Sequence, residues 1–207
     1  MLVTPPRMGK SYRPKDHYFQ KAKREGLRAR SAFKLDEIAK RFGVLRRGAH
    51  VLDLGAAPGG FLQIIADAVG PEGRVTGVDV VEIPSLGRAN VQTAVLDVLA
   101  EDFHQRLATI DPGPFDAVVS DLAPRTTGIK TTDEARSVRL ATRALEVARE
   151  RGTVGSSFIA KLFMGGDFEG FRDEVRRSYT EVKIVRPEAT RGGSMEVYLV
   201  GLRKTRG

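Results

Sequence analysis

Apolar positions along the chain fall into short continuous runs that alternate with stretches of helical periodicity. Five runs have the length and composition of buried strands: 50–54, 74–80, 91–96, 115–122 and 157–163. Five stretches carry apolar residues three or four positions apart, as amphipathic helices do: 31–42, 61–69, 101–110, 132–151 and 168–179. Residues 16–29 are too polar to be assigned to a helix or a strand.

The end of the chain follows a different pattern. Segments 181–185 and 195–202 also have the composition of strands, but no helix fits between them, so we expect an antiparallel pair. The alternation of strands and helices before them predicts one doubly wound α/β domain over residues 1–207. Its sheet would have seven strands, mostly parallel with one antiparallel strand, and helices on both faces. The carboxyl ends of the first four strands would share one edge, where such sheets bind ligands.

The net charge of +8 comes from the first quarter of the chain. Residues 1–50 hold 14 Lys and Arg against 4 Asp and Glu, whereas the other 157 residues hold 20 against 22. Aromatic side chains, which stack on unpaired bases, lie among these basic positions: Tyr12, Tyr18, Phe19 and Phe33. We therefore expect residues 1–48 to form a basic extension that packs on the domain and binds nucleic acid, in preference to a solvated tail.

The amino-acid composition also limits the cellular compartment and the kinds of chemistry that we expect for this chain. The chain has no Cys, so it forms no disulfide and no thiolate metal site, and a reducing compartment is expected. Its first residues lack the apolar core of a secretory signal, and no apolar stretch is long enough to span a bilayer. His17, His50 and His104 are scattered, so no metal site is predicted. We expect a soluble cytoplasmic protein.

A glycine-rich turn follows the first predicted strand. Residues 51–60 have the spacing G-x-x-x-G-G between an apolar strand and a helix start, whereas a dinucleotide-binding turn has G-x-G-x-x-G. Gly55 would let the backbone approach a ligand closely, and the helix start offers free N–H groups. This turn resembles the S-adenosylmethionine turn of Rossmann-like methyltransferases.

Two acidic residues end the next two predicted strands. Asp79 lies 24 residues after Gly55, close to the position of an acidic residue that commonly holds ribose hydroxyls in this architecture. Asp97 ends the third strand, where a carboxylate can accept a hydrogen bond from an adenine amino group. Asp is also common in turns, which is the alternative for both residues.

Asp121 and Lys161 each lie in an otherwise apolar strand. A charged group in a core strand is costly unless it has a partner. Since both strands end at the same edge, we expect the two side chains to form a charged pair in a cleft. Glu196 lies in the last strand and could equally face solvent, and Lys34 on its own would be a solvated charge on a helix.

These residues lie within motifs that resemble the FtsJ/RrmJ family of heat-shock-associated ribosomal RNA 2′-O-methyltransferases. The resemblance extends from about Ser11 to Arg203 and keeps the family's order and spacing. The matching motifs are Arg30–Leu35, Asp53–Gly60, Ser120–Pro124, Lys161–Phe163 and Ser194–Val200.

The resemblance implies a Rossmann-like methyltransferase fold, S-adenosylmethionine as cofactor and a catalytic tetrad of Lys34, Asp121, Lys161 and Glu196. With the turn glycine, the cofactor-binding residues are expected to be Gly55, Gly59, Gly60, Phe61, Asp79, Asp97 and Asp121. Phe61 stands where the family often has Trp, so an indole N–H is missing. Lys161 would either remove the proton of the 2′-hydroxyl as a neutral base or orient the hydroxyl oxygen as a charged donor.

The substrate implied by the resemblance is a uridine ribose of large-subunit (23S) ribosomal RNA in the assembled 50S subunit, methylated by a monomeric enzyme. A transfer-RNA ribose methyltransferase of the same family is the first alternative. A ribosome assembly factor that binds RNA without catalysis is the second, although all four tetrad residue types are present. A nicotinamide-dependent oxidoreductase is disfavoured by the glycine spacing.

Overall fold

A computed structural model describes residues 15–206, so Tyr12 and the rest of the first 14 residues, like Gly207, lie outside it. The strands of the described part are β1 (His50–Leu54), β2 (Arg74–Asp79), β3 (Val91–Val95), β4 (Phe115–Ser120), β5 (Gly152–Phe163), β6 (Tyr179–Val185) and β7 (Glu196–Lys204). The helices there are α1 (Lys15–Arg24), α2 (Ala32–Phe42), α3 (Gly60–Val69), α4 (Phe103–Ile110), α5 (Lys130–Arg151) and α6 (Phe168–Arg176).

The strands form one sheet in the order β3-β2-β1-β4-β5-β7-β6. β1 pairs in parallel with β2 and β4, and β7 pairs antiparallel with both β5 and β6. The seven-stranded, mostly parallel sheet with one antiparallel strand that the sequence predicted is confirmed. Because the order reverses next to β1, the carboxyl ends of β1 and β4 border a crevice of the kind where open α/β sheets bind ligands.

Two apolar layers cover the sheet. Leu35 and Ile38 of α2 and Phe61 and Ile65 of α3 pack with Tyr198 on one face. The other face packs against α4, α5 and α6 through residues that include Phe103, Leu145 and Phe171. Alternation along β1, β4, β5 and β7 therefore decides which side chains of the carboxyl edge lie on the α2 side and which lie on the α5 side.

Apart from shifts of one or two residues at element ends, the described structure departs from the predicted elements in three places. Helix α1 forms in the unassigned segment 16–29, because Ala22 is buried and the Tyr18 ring lies 5.7 Å from that of Phe33. The predicted helix 168–179 ends at Arg176 instead. Tyr179 begins β6, where its ring stacks on Phe158 at 5.9 Å.

The third difference is at β5, which begins at Gly152 and not at the predicted residue 157. Its register with β4 shifts between Phe115 and Ala117, so the residues before Ser156 form an irregular, partly exposed start to the strand. An exposed irregular segment has no apolar alternation, and the sequence pattern therefore does not indicate it.

Candidate active site

A cavity of about 510 Å³ lies at the carboxyl edge of the sheet. Four of the predicted site residues line it: Gly55, Asp79, Asp97 and Asp121. We call it the edge cavity. Its volume falls within the range of small-molecule sites, about 300–1,000 Å³. The structure therefore brings together the first turn glycine and the three carboxylates that the sequence assigned to a cofactor.

Both strand-end carboxylates also shape the backbone around the edge cavity. Asp79 Oδ2 accepts a hydrogen bond from the amide of Ala57 at 3.0 Å, which ties the glycine turn to the end of β2. Asp97 lies two residues beyond β3, and its Oδ1 accepts the amide of Leu99 at 2.9 Å. Asp97 thus takes the turn role that the sequence left as an alternative, while still lining the cavity.

The turn glycines meet different neighbours. Gly55 has a φ of +80°, and a Cβ there would lie 3.0 Å from the amide nitrogen of Leu122. A Cβ at Gly59 would lie 2.9 Å from Arg28 Nη1, and one at Gly60 would lie 2.9 Å from the Cβ of Ala29. Protein atoms of the segment before α2 therefore occupy the space beside Gly59 and Gly60, and neither glycine lines the edge cavity.

Arg28 fastens this segment to the glycine turn. Its guanidinium donates to the carbonyl oxygens of Pro58, at 3.2 Å, Ser85, at 2.6 Å, and Pro84. Its amide donates to Gln63 Oε1 at 2.8 Å. The basic extension and the turn of the predicted cofactor site are thus one packed unit. Sequence pattern gives no sign of it, because the contacts join positions about 30 residues apart or more.

Lys161 and Asp121 form the charged pair that the sequence predicted. Lys161 Nζ lies 2.8 Å from Asp121 Oδ1 and donates to the backbone oxygen of Asp121 at 2.6 Å. Only 9% of the Lys161 side chain is exposed, so this ammonium would be costly without its partner. The two contacts use two of its three N–H bonds and leave one for a substrate.

Lys34 and Glu196 form a second buried pair. Lys34 lies on the inner face of α2 beside the buried Leu35, and Glu196 is the first residue of β7. Burial of both side chains excludes the solvent-exposed positions that the sequence left open for each. The four tetrad residues thus form two ion pairs, one supported by α2 and one by the ends of β4 and β5.

Tyr198 connects the two pairs. Its hydroxyl donates to Asp121 Oδ1 at 2.7 Å, and Lys34 Nζ lies 5.8 Å from the centre of its ring. Burial, followed by the charges of Asp121 and Glu196, raises the pKa of Tyr198 well above its ordinary value, which keeps the phenol a donor. Alternation along β7 puts Tyr198 on the same face as Glu196, but the sequence pattern assigned Tyr198 no role.

Phe61 is buried beneath this network. Its ring lies 6.5 Å from that of Tyr198 and packs with the α2 and α3 layer, away from the walls of the edge cavity. The structure therefore does not bring Phe61, Gly59 or Gly60 to the cavity, and their assignment to the cofactor stays a prediction.

Comparison with known proteins identifies the family. A family model described as FtsJ-like methyltransferase matches residues 27–204. A Myxococcus xanthus protein named ribosomal RNA large subunit methyltransferase E is 69% identical over 204 residues, covering 99% of this chain and 96% of that protein. The chain belongs to the FtsJ-like methyltransferase family.

Other relatives agree. A protein of the same name from Anaeromyxobacter sp. is 52% identical over 194 residues, which is 94% of this methyltransferase and 70% of that protein. Among solved structures, a ribosomal RNA methyltransferase from Plasmodium falciparum superposes with a TM-score of 0.76 at 21% identity, covering 87% of this chain and 100% of that one. Fibrillarin from Aeropyrum pernix with bound S-adenosylmethionine has a TM-score of 0.59 at 16% identity over 77% and 68% of the two chains. The predicted family and fold are confirmed.

One further buried carboxyl lies close to the cavity carboxylates and was not singled out from the sequence. Asp53 of β1 is fully buried, and neither carboxylate oxygen has a hydrogen-bond partner among the described residues. Burial, then the charges of Asp121 and Asp79, raises the pKa of Asp53 well above its ordinary value. The signal was an acidic residue within the apolar run 51–54, the same signal that singled out Asp121.

The surroundings of Asp53 also indicate the charge of the ligand that the site can bind. A buried carboxyl with no partner, close to two more carboxylates, favours a positively charged ligand. S-adenosylmethionine carries a sulfonium and an ammonium group, so the donor set of this edge fits it.

No helix among residues 15–206 is long and apolar enough to cross a membrane.

Proposed function

We propose that this methyltransferase methylates a ribose 2′-hydroxyl of large-subunit ribosomal RNA, with the assembled subunit as substrate. The observation that carries the proposal is the position of Asp121, which lines the edge cavity and also pairs with Lys161. A methyl donor bound in the edge cavity and a ribose acceptor beside Lys161 would therefore lie next to each other at the Asp121 carboxylate. The relatives named ribosomal RNA large subunit methyltransferase E support the choice of RNA.

S-adenosylmethionine is the cofactor, and when bound it supplies an electrophilic methyl group. Gly55, Asp79 and Asp97 would hold it along the edge cavity, with the carboxyl group of Asp53 buried behind the cavity carboxylates. Much of the acceleration would come from alignment, because two reactants held in line avoid the entropic cost of a bimolecular encounter.

Lys161 acts on the ribose hydroxyl. Its remaining N–H bond can hold the hydroxyl oxygen, while Asp121 fixes the Lys161 side chain from two sides. Lys161 then serves either as a donor that orients the oxygen or, once neutral, as the base that takes the proton. A profile of kcat against pH separates the two, because only a base loses activity when its amine is protonated.

Lys34 would position the ribose or its neighbouring phosphate, and Glu196 would close the charge network through its ion pair with Lys34. Two more cations lie on this side: Arg30, which is partly buried, and Arg191, which is exposed. Burial, then the nearby charge of Arg191, lowers the pKa of Arg30 from its ordinary value. A phosphate between the two guanidinium groups would remove this repulsion. The enzyme would act as a cytoplasmic monomer on this substrate.

Tritium transfer from labelled S-adenosylmethionine tests the proposal. The acceptors are free large-subunit ribosomal RNA, large subunits lacking ribose methylation, and bulk transfer RNA. The control variants are Lys161→Ala and Lys183→Ala, the second altering an exposed lysine of β6 that pairs with Glu181. We expect alkali-resistant label on the large subunit with wild type and Lys183→Ala, and none with Lys161→Ala, which should still bind S-adenosylhomocysteine.

Two results would overturn the proposal. Label on transfer RNA alone would keep the chemistry and change the substrate. Absence of label with cofactor and RNA still bound would indicate an RNA-binding assembly factor.

A further inference from the structure

Three arginines border the edge cavity on the α5 side. Arg125 follows β4, and Arg136 and Arg139 lie on α5. All three are exposed, and among residues 17–206 no carboxylate lies within 4.0 Å of their side-chain nitrogens. Arg136 Nη1 reaches the backbone oxygen of Arg125 at 3.5 Å, which brings two of them together. The cluster is thus positive charge without an ion-pair partner.

This cluster is not part of a generally basic surface. The chain after residue 50 has 20 Lys and Arg against 22 Asp and Glu. The other three arginines of α5, Arg143, Arg149 and Arg151, each have a carboxylate within 4.0 Å. Arg143, one turn further along α5 than Arg139, pairs with Glu146 at 2.9 Å. Of the three arginines beside the edge cavity, Arg136 interacts with the charge of Asp133 at longer range. Guanidinium groups that form no ion pair within 4.0 Å, beside a cleft in a net acidic part of the chain, indicate an anionic ligand.

The loop that carries Arg125 is held in place. Asp133, on the first turn of α5, accepts the amide and the hydroxyl of Thr127 at 2.7 and 2.9 Å and the amide of Gly128 at 3.1 Å. These bonds fix the loop to the helix that bears Arg136 and Arg139. The three guanidinium groups therefore project from one supported unit, which favours a binding surface over a mobile loop.

The cluster and the N-terminal basic residues lie on opposite sides of the sheet. Helix α2, with Lys34, covers the face that includes Tyr198, whereas α5 covers the other face. Asp121 lies between them at the edge. An RNA strand whose target ribose lies at Lys161 would leave the α2 side and cross the edge towards α5.

We propose that Arg125, Arg136 and Arg139 bind backbone phosphates of the substrate RNA on the α5 side of the active site. The guanidinium group suits this ligand because it donates two parallel hydrogen bonds to phosphate oxygens. The inference rests on the proposed function, since it takes RNA as the substrate. The rival is that the same arginines bind the carboxylate of the cofactor within the edge cavity.

The test compares a triple variant, Arg125→Gln with Arg136→Gln and Arg139→Gln, with wild type. RNA binding is measured with a labelled single-stranded RNA and with large subunits lacking ribose methylation, over a series of salt concentrations and with saturating S-adenosylhomocysteine. Cofactor affinity is measured separately by calorimetry with S-adenosylhomocysteine alone. The controls are Arg203→Gln, an exposed arginine of β7 that pairs with Glu181, and the corresponding triple lysine variant.

We expect the triple glutamine variant to reduce the slope of log affinity against log salt by about 2, since each single-strand phosphate contact contributes about 0.7. RNA affinity at physiological salt should fall by at least about tenfold, the effect of one lost charge-assisted contact. The Kd for S-adenosylhomocysteine should be unchanged, and the lysine triple and Arg203→Gln variants should keep the wild-type slope.

An unchanged slope would overturn the inference, and weaker S-adenosylhomocysteine binding with that unchanged slope would assign the arginines to the cofactor. Because the binding assay involves no methyl transfer, its outcome is separate from that of the proposed function. Wild-type protein that binds RNA through these arginines but labels no RNA would reject methylation and keep the phosphate contacts.

Discussion

Two buried aspartates at opposite ends of the sheet have opposite surroundings. Asp53 lies near the carboxyl end of β1, where neither of its oxygens has a hydrogen-bond partner among the described residues. Asp111 lies at the other end, beside His50, the first residue of β1. Both side chains are fully shielded from solvent. The two carboxyl groups are equally buried, but among the described residues only Asp111 has hydrogen-bond partners. We attribute this difference to the two ends of the sheet, because the carboxyl edge borders the cavity.

Asp111 is the centre of a satisfied network. It lies 2.7 Å from His50 Nε2, accepts Gln92 Nε2 at 3.0 Å and the amide of Gly113 at 3.1 Å, and also accepts the Thr76 hydroxyl. Burial alone would raise the pKa of Asp111, but the bonds from Thr76, His50 and Gly113 outweigh it and lower the pKa below its ordinary value. These hydrogen bonds stabilise this end of the sheet.

Asp53 shows the reverse. A buried carboxyl without partners destabilises the fold, and proteins keep such groups mainly where a ligand or a reaction uses them. Burial of Asp53 therefore destabilises the carboxyl edge of the sheet, whereas the hydrogen bonds of Asp111 stabilise the opposite end. Four measurements test this contrast between Asp53 and Asp111.

The largest effect is expected from Asp111→Ala. Removing this carboxylate leaves the buried hydroxyl of Thr76 without its acceptor and takes the partner from His50, so the free energy of unfolding should fall by about 3 kcal/mol. Urea denaturation measures it. The folded fraction should bind S-adenosylhomocysteine normally, and a loss under about 1 kcal/mol would show that the network is not structural.

Asp53→Asn should have the opposite profile. The free energy of unfolding should not fall, because no hydrogen bond is lost, whereas the affinity for S-adenosylhomocysteine should fall about tenfold because a buried acidic group close to the cavity carboxylates no longer attracts the ammonium group of the ligand. Calorimetry measures the affinity. Asp67→Asn, at an exposed carboxylate that pairs with Arg88, is the control. Unchanged affinity would remove Asp53 from the site.

Thr76→Val dissects the satisfied network. It removes one hydroxyl donor to Asp111 while nearly preserving shape, so the unfolding free energy should fall by about 1 kcal/mol. Combining it with Asp111→Ala in a double-mutant cycle should give less than the sum of the two losses, because the two residues share one bond. An additive result would contradict the described contact.

The smallest expected effects concern pH, because many other groups titrate in the same range. The lowered pKa of Asp111 means that its contribution to stability is complete above the unfolded value of about 3.9 and is lost as pH falls through the folded value. The raised pKa of Asp53 means that its contribution is complete below about 3.9 and is lost as pH rises towards the folded value.

Asp111→Asn and Asp53→Asn should therefore change the pH dependence of unfolding with opposite signs. The first variant should lose less stability than wild type on acidification, and the second should lose less between mildly acidic and neutral pH. Chemical denaturation across this range measures both. Changes of the same sign would contradict the contrast between the two aspartates.

The sequence predicted the sheet well because buried parallel strands leave continuous apolar runs, as at 51–54 and 117–119. The Lys161–Asp121 pair was also predictable, since two charges in apolar strands require partners. Helix α1 was not, because a polar helix on the surface is stabilised by distant contacts such as that between Tyr18 and Phe33.

Other parts of the site depend on long-range packing. The contacts of Arg28 with the glycine turn, and the position of Tyr198 between two ion pairs, arise only once separate elements have come together. Local periodicity carries no information about such contacts. The motif around Gly55 was interpreted through its glycines, and Asp53 within it was overlooked although the apolar run made it visible.

The position of β7 has a consequence for how the enzyme is made. A chain is synthesised from its amino terminus, and β7 is the last strand to emerge, yet it lies between β5 and β6 in the finished sheet. It brings Glu196 to Lys34 and the Tyr198 hydroxyl to Asp121. A nascent or prematurely terminated polypeptide that ends before β7 lacks both. The contacts of Glu196 with Lys34 and of Tyr198 with Asp121 can therefore form only after β7 has been synthesised.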